Sequence, residues 1–245
     1  MKKSFSLLVA GSLGIFLTAT AVVRARQPPA ETVIRQVVLP VVNALRINTE
    51  TDITVQEGSP QEIEVTGPAH LLDQTHMGVR NGVLVLRSPE GLGRWLLGRG
   101  PAPRLHLRLT LPALRQVSLA GTCTLTSLTP LTAPTLTVVL SGASHARLQV
   151  ENRQVSVVLT GASTATLRGS TTRQQVQLTG TGTYHAFDLQ SATTMAYLAG
   201  MGTEEVTARD SLTAHITGIG TIRYRGNPTA LVTTISGLGE IKADQ

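Results

Sequence analysis

The chain has 245 residues, 41% of them hydrophobic, which is enough to bury one sizeable core. Aromatics supply only 3%, so that core must be built from aliphatic and β-branched side chains, a composition that favours strands over helices. The formal charge of +6 falls to +3 once Lys2, Lys3 and Arg24 of the first 25 residues are set aside; with no Lys/Arg run and no interleaved aromatics, this argues against nucleic acid as a partner and leaves an anionic envelope surface open.

Residues 1–25 combine a basic start, an almost uncharged apolar run from Phe5 to Val23, and small-residue cleavage sites at Ala19-Thr20-Ala21 or Val23-Arg24-Ala25. They read as a secretory signal peptide, with a retained membrane anchor as the rival. Either route exports the body, to the periplasm or the cell surface. Residues 26–111 carry strand-like stretches without a fixed period: VVNALRI (41–47), DITV (52–55), EIEV (62–65), GVLVLRS (82–88) and RLHLRLTLP (104–112). Turn residues separate them, Asn81-Gly82 among them. This part is expected to begin a coil or to cap its first turn.

Inside it lies GLGRWLLGRGPAP (91–103), where Trp95, Leu96 and Leu97 stand between Arg94 and Arg99 in a glycine-rich loop. An apolar tip flanked by arginines is a candidate contact for a membrane surface or a partner. The simpler reading is a cap folded over the coil.

From residue 112 to 245 the sequence repeats. LAGTC, LSGAS, LTGAS, LTGTG, LAGMG, ITGIG and ISGLG share one grammar, and their leading glycines are Gly121, Gly142, Gly161, Gly180, Gly200, Gly218 and Gly237, 18 to 21 residues apart. Upstream of each glycine apolar residues alternate, as in Leu136, Val138 and Leu140, which marks a strand with one buried face. One repeat cannot bury that face alone. Stacked repeats can, so the expected fold is all-β: a single-stranded right-handed parallel β-helix with turns of about 19 residues, each about 4.8 Å above the last. The glycines then sit at structural corners, where a Cβ would meet the neighbouring turn or a positive φ is needed. A nucleotide-binding reading of Gly180-Thr181-Gly182 fails, because His185 stands where a third glycine is required and no Gly-Lys-Ser/Thr is present.

The ordered combination of ALRINTETDITVQEGSPQEIEVTGPAHLLDQTHMGVRNGVLVLRS, RLHLRLTLPALRQVSLAGT and repeated SGAS and TGxG corners resembles the head GIN domain family of auto-transporter adhesins. The resemblance implies a secreted or surface β-helical protein with an adhesive role, and it brings no catalytic residues.

Weighed residue by residue, chemistry has little support. The acids of the repeat region stand at different offsets from their corner glycines, and Glu204 and Glu205 should face opposite sides of a strand. His145, His185 and His215 also differ in offset, which argues against a metal site. Cys123 occupies a corner position filled elsewhere by Ser or Gly; as the only cysteine it forms no intrachain disulfide. Tyr184, Phe187, Tyr197 and Tyr224 suggest core or edge packing before a sugar-stacking strip. The expectation is an exported, non-catalytic, adhesin-like binding or scaffold protein of the cell envelope. It needs no cofactor or metal; its partners are an envelope polysaccharide or another surface protein, with homo-oligomers left open. The alternatives are a polysaccharide-cleaving β-helix enzyme and a self-assembling structural protein.

Overall fold

The computed structural model describes residues 32–36, 40–87 and 104–244. The leader expected over residues 1–25 and the surface contact expected at Arg94, Trp95, Leu96, Leu97 and Arg99 lie outside the described residues.

The N-terminal strands are β1 (Thr32–Gln36), β2 (Ala44–Asn48), β3 (Thr51–Glu57), β4 (Glu62–Pro68), β5 (His76–Arg80), β6 (Val83–Arg87) and β7 (Leu105–Leu111), with a short helix α1 (Ala69–Gln74) between β4 and β5. The repeat region continues as β8 (Gln116–Ala120), β9 (Cys123–Ser127), β10 (Thr135–Leu140), β11 (His145–Gly161), β12 (Thr164–His185), β13 (Leu189–Leu198), β14 (Met201–Thr207), β15 (Ser211–Ile216), β16 (Ile219–Arg225), β17 (Ala230–Ile235) and β18 (Leu238–Ala243).

The coil is built from parallel pairings between successive turns. One wall runs β8, β10, β11, β12, β13, β15, β17. A second runs from β9 through β11 into β12, and from the end of β12 through β14 and β16 to β18. The N-terminal strands both extend this coil and close it. β2 lies between β8 and β6, and β3 between β9 and β7, all parallel, so the turn containing β6 and β7 stacks outside the turn that precedes it in sequence. Antiparallel strands then end the stack, with β5 on β6, β4 on β7 and β1 on β4. A reversed strand breaks the repeat and so terminates it.

Period-two alternation puts every second side chain inside. Stacked turns convert that alternation into columns. Leu86, Ile47, Leu119, Leu140, Leu159, Leu178, Leu198 and Ile216 succeed one another through parallel registers, and each is 0–1% exposed. A neighbouring column runs Leu136, Val155, Gln174, Thr194, Leu212, turning polar in its middle. Glu240 and Lys242 continue outward-facing rows, while Leu231, Val232, Ile235 and Leu238 are exposed.

Candidate functional site

Gly142 has φ +75°, and a Cβ on it would lie 2.6 Å from the carbonyl oxygen of Gly121 on the turn before. The contact recurs up the coil. A Cβ on Gly161, Gly180, Gly200, Gly218 or Gly237 would meet the carbonyl oxygen of the preceding glycine in the series at 2.1 to 2.7 Å. Gly121, first in the series, has φ +101°. Such a column holds the residues downstream of each glycine at a constant height and direction.

Those downstream residues form one ladder facing in and one facing out. Four residues after their glycines, Tyr184, Glu204, Ile222 and Ile241 occupy one register column. Tyr184 and Glu204 are fully buried. Gln174 donates its Nε2–H to the Tyr184 hydroxyl at 3.0 Å, while Gln174 Oε1 and both Glu204 carboxyl oxygens have no hydrogen-bond partner. Burial pushes the Glu204 pKa up to about 8, and the nearby Leu178 backbone opposes this without making a hydrogen bond of good geometry. Burial likewise raises the Tyr184 hydroxyl well above its ordinary value. A carboxyl poised near neutrality is the sort of group that active sites use. Here it is enclosed in the core, with no exposed surface of its own.

Five residues after their glycines, His185, Glu205, Arg223 and Lys242 form the outward ladder. His185 Nδ1 lies 2.6 Å from Glu205 Oε2, and Arg223 donates to Glu205 Oε1 at 3.2 Å. Arg223 and Arg225 both donate to the Asp244 carboxylate. Burial pushes the Asp244 pKa upward, but the hydrogen bonds from Arg225 and Arg223 outweigh it and hold the group ionised below its usual range. The Arg225 and Arg223 guanidinium carbons stand 4.1 and 5.6 Å from the Phe187 ring centre. Beside this ladder runs a hydroxyl row of Thr183, Thr203 and Thr221. Together the two rows line a shallow groove of about 460 Å³.

The groove presents an imidazole, a carboxylate, a guanidinium and an ammonium on four successive turns beside a row of hydroxyls. Its Glu205 carboxylate is already engaged by Arg223 and by the His185 ring. Among the described residues no group of three or more His, Cys, Asp or Glu side chains is placed to hold a metal ion. Glu204 and Glu205 face opposite sides, as their adjacency requires. His145 is exposed, His215 packs its ring 6.4 Å from Tyr197, and neither joins His185. Cys123 is buried, burial raises its thiol pKa, and its Sγ lies 3.0 Å from the Thr49 carbonyl oxygen.

The mixed ladder stays hidden when acids are compared only with acids and histidines only with histidines. Its signal in the sequence is a shared offset of five from Gly180, Gly200, Gly218 and Gly237.

Three solved structures resemble the whole coil. A "putative adhesin" from Bacteroides fragilis superimposes with a TM-score of 0.81 at 20% identity, over 89% of this chain and 99% of that one. A "putative adhesin" from Parabacteroides distasonis gives 0.64 at 18% identity, over 88% and 98%. A "putative lipid binding protein" from the same organism gives 0.63 at 18%, over 87% and 97%. At these identities the likeness establishes the β-solenoid fold. No curated protein matches the chain. A family model matches residues 42–228, from the strand entering the coil to the turn before β17. The chain belongs to the family described as "Putative auto-transporter adhesin, head GIN domain".

Proposed function

We propose that this chain is an exported, non-catalytic, adhesin-like protein of the cell envelope that binds a repetitive polar partner, an envelope polysaccharide or another surface protein, along its outer wall. The observation that carries the reading is the outward ladder of His185, Glu205, Arg223 and Lys242 beside the threonine row, in a chain whose family is described as adhesins. A regular wall spaced at the inter-strand distance of about 4.8 Å presents polar groups at equal steps, which suits a polymer better than a compact metabolite. Absence of catalysis is part of the proposal. It is supported by the pairing of the wall carboxylate Glu205 and by the enclosure of Glu204.

The test is saturable binding of the purified protein to an array of envelope polysaccharides and surface proteins, at about physiological salt so that weak charge attraction is screened. Binding to a defined polymer that weakens in Glu205→Ala/Arg223→Ala supports the reading; no binding to any component sinks it.

A second reading, self-assembly into an envelope scaffold, is favoured by one observation. Leu231, Val232, Ile235 and Leu238 are 46–79% exposed on β17 and β18. Sedimentation that changes with protein concentration, and stops changing in Leu231→Ser/Ile235→Ser, would favour it.

A further inference from the structure

A second concave surface, at the other end of the coil, has a chemistry unlike the ladder wall. β5 and β6 form a hairpin through Asn81 and Gly82, both with positive φ, at 52° and 75°. The hairpin tip is fastened to the coil: the Gly82 carbonyl accepts from the amides of Asn43 at 2.9 Å and Ala44 at 3.2 Å. β6 then pairs in parallel with β2. Three strands therefore hold one outward face rigidly. Alternation places His76, Gly78 and Arg80 of β5, Val83, Val85 and Arg87 of β6, and Arg46 of β2 on that face.

Gly78 is the informative residue. It stands mid-strand, where glycine is disfavoured, has no positive φ to require it, and an added Cβ would meet nothing within 4 Å. Neither packing nor backbone conformation explains it. Its effect is to create space: a groove of about 600 Å³, with Val83 and Val85 as a half-buried floor and Arg46, Arg80, Arg87 and His76 exposed around it. Among the described residues no acidic side chain lines this groove, and none of the three arginines makes an ion pair. Gathering uncompensated guanidinium groups costs electrostatic energy that a bound anion would recover.

We propose that this face is a binding site for a phosphate ester carried on a sugar-sized body. Three guanidinium groups around one groove suit a phosphate dianion, with its double charge and three acceptor oxygens, better than a single planar carboxylate. The volume lies within the range of small-ligand sites and exceeds what a free phosphate fills. The valine floor beside Gly78 gives the C–H face of a sugar ring a place to lie. A membrane surface fits less well, because none of the large exposed apolar side chains of the described residues lines the groove. The proposal does not rest on the ladder wall.

The test titrates the full chain with glucose 6-phosphate, glucose and glucuronate by calorimetry, and measures co-sedimentation with phosphatidylcholine vesicles with and without phosphatidylglycerol. Glucose 6-phosphate is expected to bind saturably and more weakly as salt rises, while glucose does not bind. Arg46→Gln/Arg80→Gln should weaken binding about tenfold or more. Gly78→Val should abolish it with an unchanged melting temperature and circular dichroism spectrum, so that loss of binding is not loss of fold. Arg147→Gln/Arg168→Gln, which removes two exposed arginines elsewhere on the coil, should leave binding intact, as should Glu205→Ala/Arg223→Ala on the ladder wall. The proposal is overturned by absence of glucose 6-phosphate binding, by equal binding of glucuronate, or by equal weakening in the Arg147/Arg168 control. Vesicle binding without sugar phosphate binding also overturns it, in favour of a membrane contact.

Discussion

The repeat region and the N-terminal hairpin both contain glycines and arginines on regular β structure, yet they use them in opposite ways. In the coil, Gly200 and Gly218 stand where a Cβ would collide with backbone, and Arg223 is satisfied by Glu205 and Asp244. In the hairpin, Gly78 has free space above it, and Arg80 and Arg87, with Arg46 of β2, face a groove that no acid among the described residues lines. Translational repetition removes choice: a residue must fit the copy of itself one turn away. Where the repeat ends, that constraint lifts, and residues become available for tasks other than stacking.

Paired substitutions break this comparison most directly. A Cβ on Gly218 would lie 2.1 Å from the Gly200 carbonyl oxygen, backbone that cannot step aside without parting two turns. Gly218→Val should cost about 3–5 kcal/mol or prevent folding. Gly78→Val should change stability by less than about 1 kcal/mol, since it meets nothing and a β-branched residue suits a strand. Thermal denaturation of the two variants decides it; similar losses would mean that the column is not what holds the turns together.

The interior sharpens the comparison along the coil itself. The aliphatic columns are interrupted at Gln174, Tyr184 and Glu204. Glu204 keeps its proton in the folded state up to a pKa of about 8, whereas the unfolded carboxyl loses it near 4.5. Between those values unfolding releases a proton, so stability is full below pH about 4.5 and falls as pH rises, by up to about 1.4 kcal/mol per pH unit, levelling above about 8. Glu204→Leu should flatten that dependence and raise stability at neutral pH. Denaturant titrations from pH 5 to pH 8 measure it, and an unchanged slope in the variant would remove Glu204 as the cause. Tyr184→Phe should cost less, about 1–2 kcal/mol, because it strands the Gln174 Nε2 donor in the core.

The fold was legible because its signals are periodic. Alternating apolar residues and glycines every 18 to 21 positions specify a stacked coil, and Asn81-Gly82 specifies the hairpin turn that closes β5 on β6. The order of the first turns was not legible. Nothing in ALRIN or GVLVLRS says that β6 stacks outside β2, because the choice between two parallel neighbours is made by long-range packing. Nor was α1: AHLLDQ is too short for a period, and Pro68 ahead of it reads as a turn. Of the sites, the glycine series and the opposed faces of Glu204 and Glu205 emerge from counting. The charged ladder needs a count across residue types, and the basic groove needs knowledge of which strands meet.

The smallest expected effect bears on what the ladder is for. Arg223 is 38% exposed and contacts Glu205, Asp244 and Phe187. Ion pairs at that exposure contribute little, so Arg223→Ala should lower stability by about 0.5–1 kcal/mol. The same change removes the central charge of the wall, which a polymer lying across several turns would touch. If the wall is a binding surface, affinity for a polymer found on the array should fall by more than stability does. If stability falls and affinity does not, the ladder joins the turns and the ligand lies elsewhere; the basic face of β2, β5 and β6 is then the surface to test next.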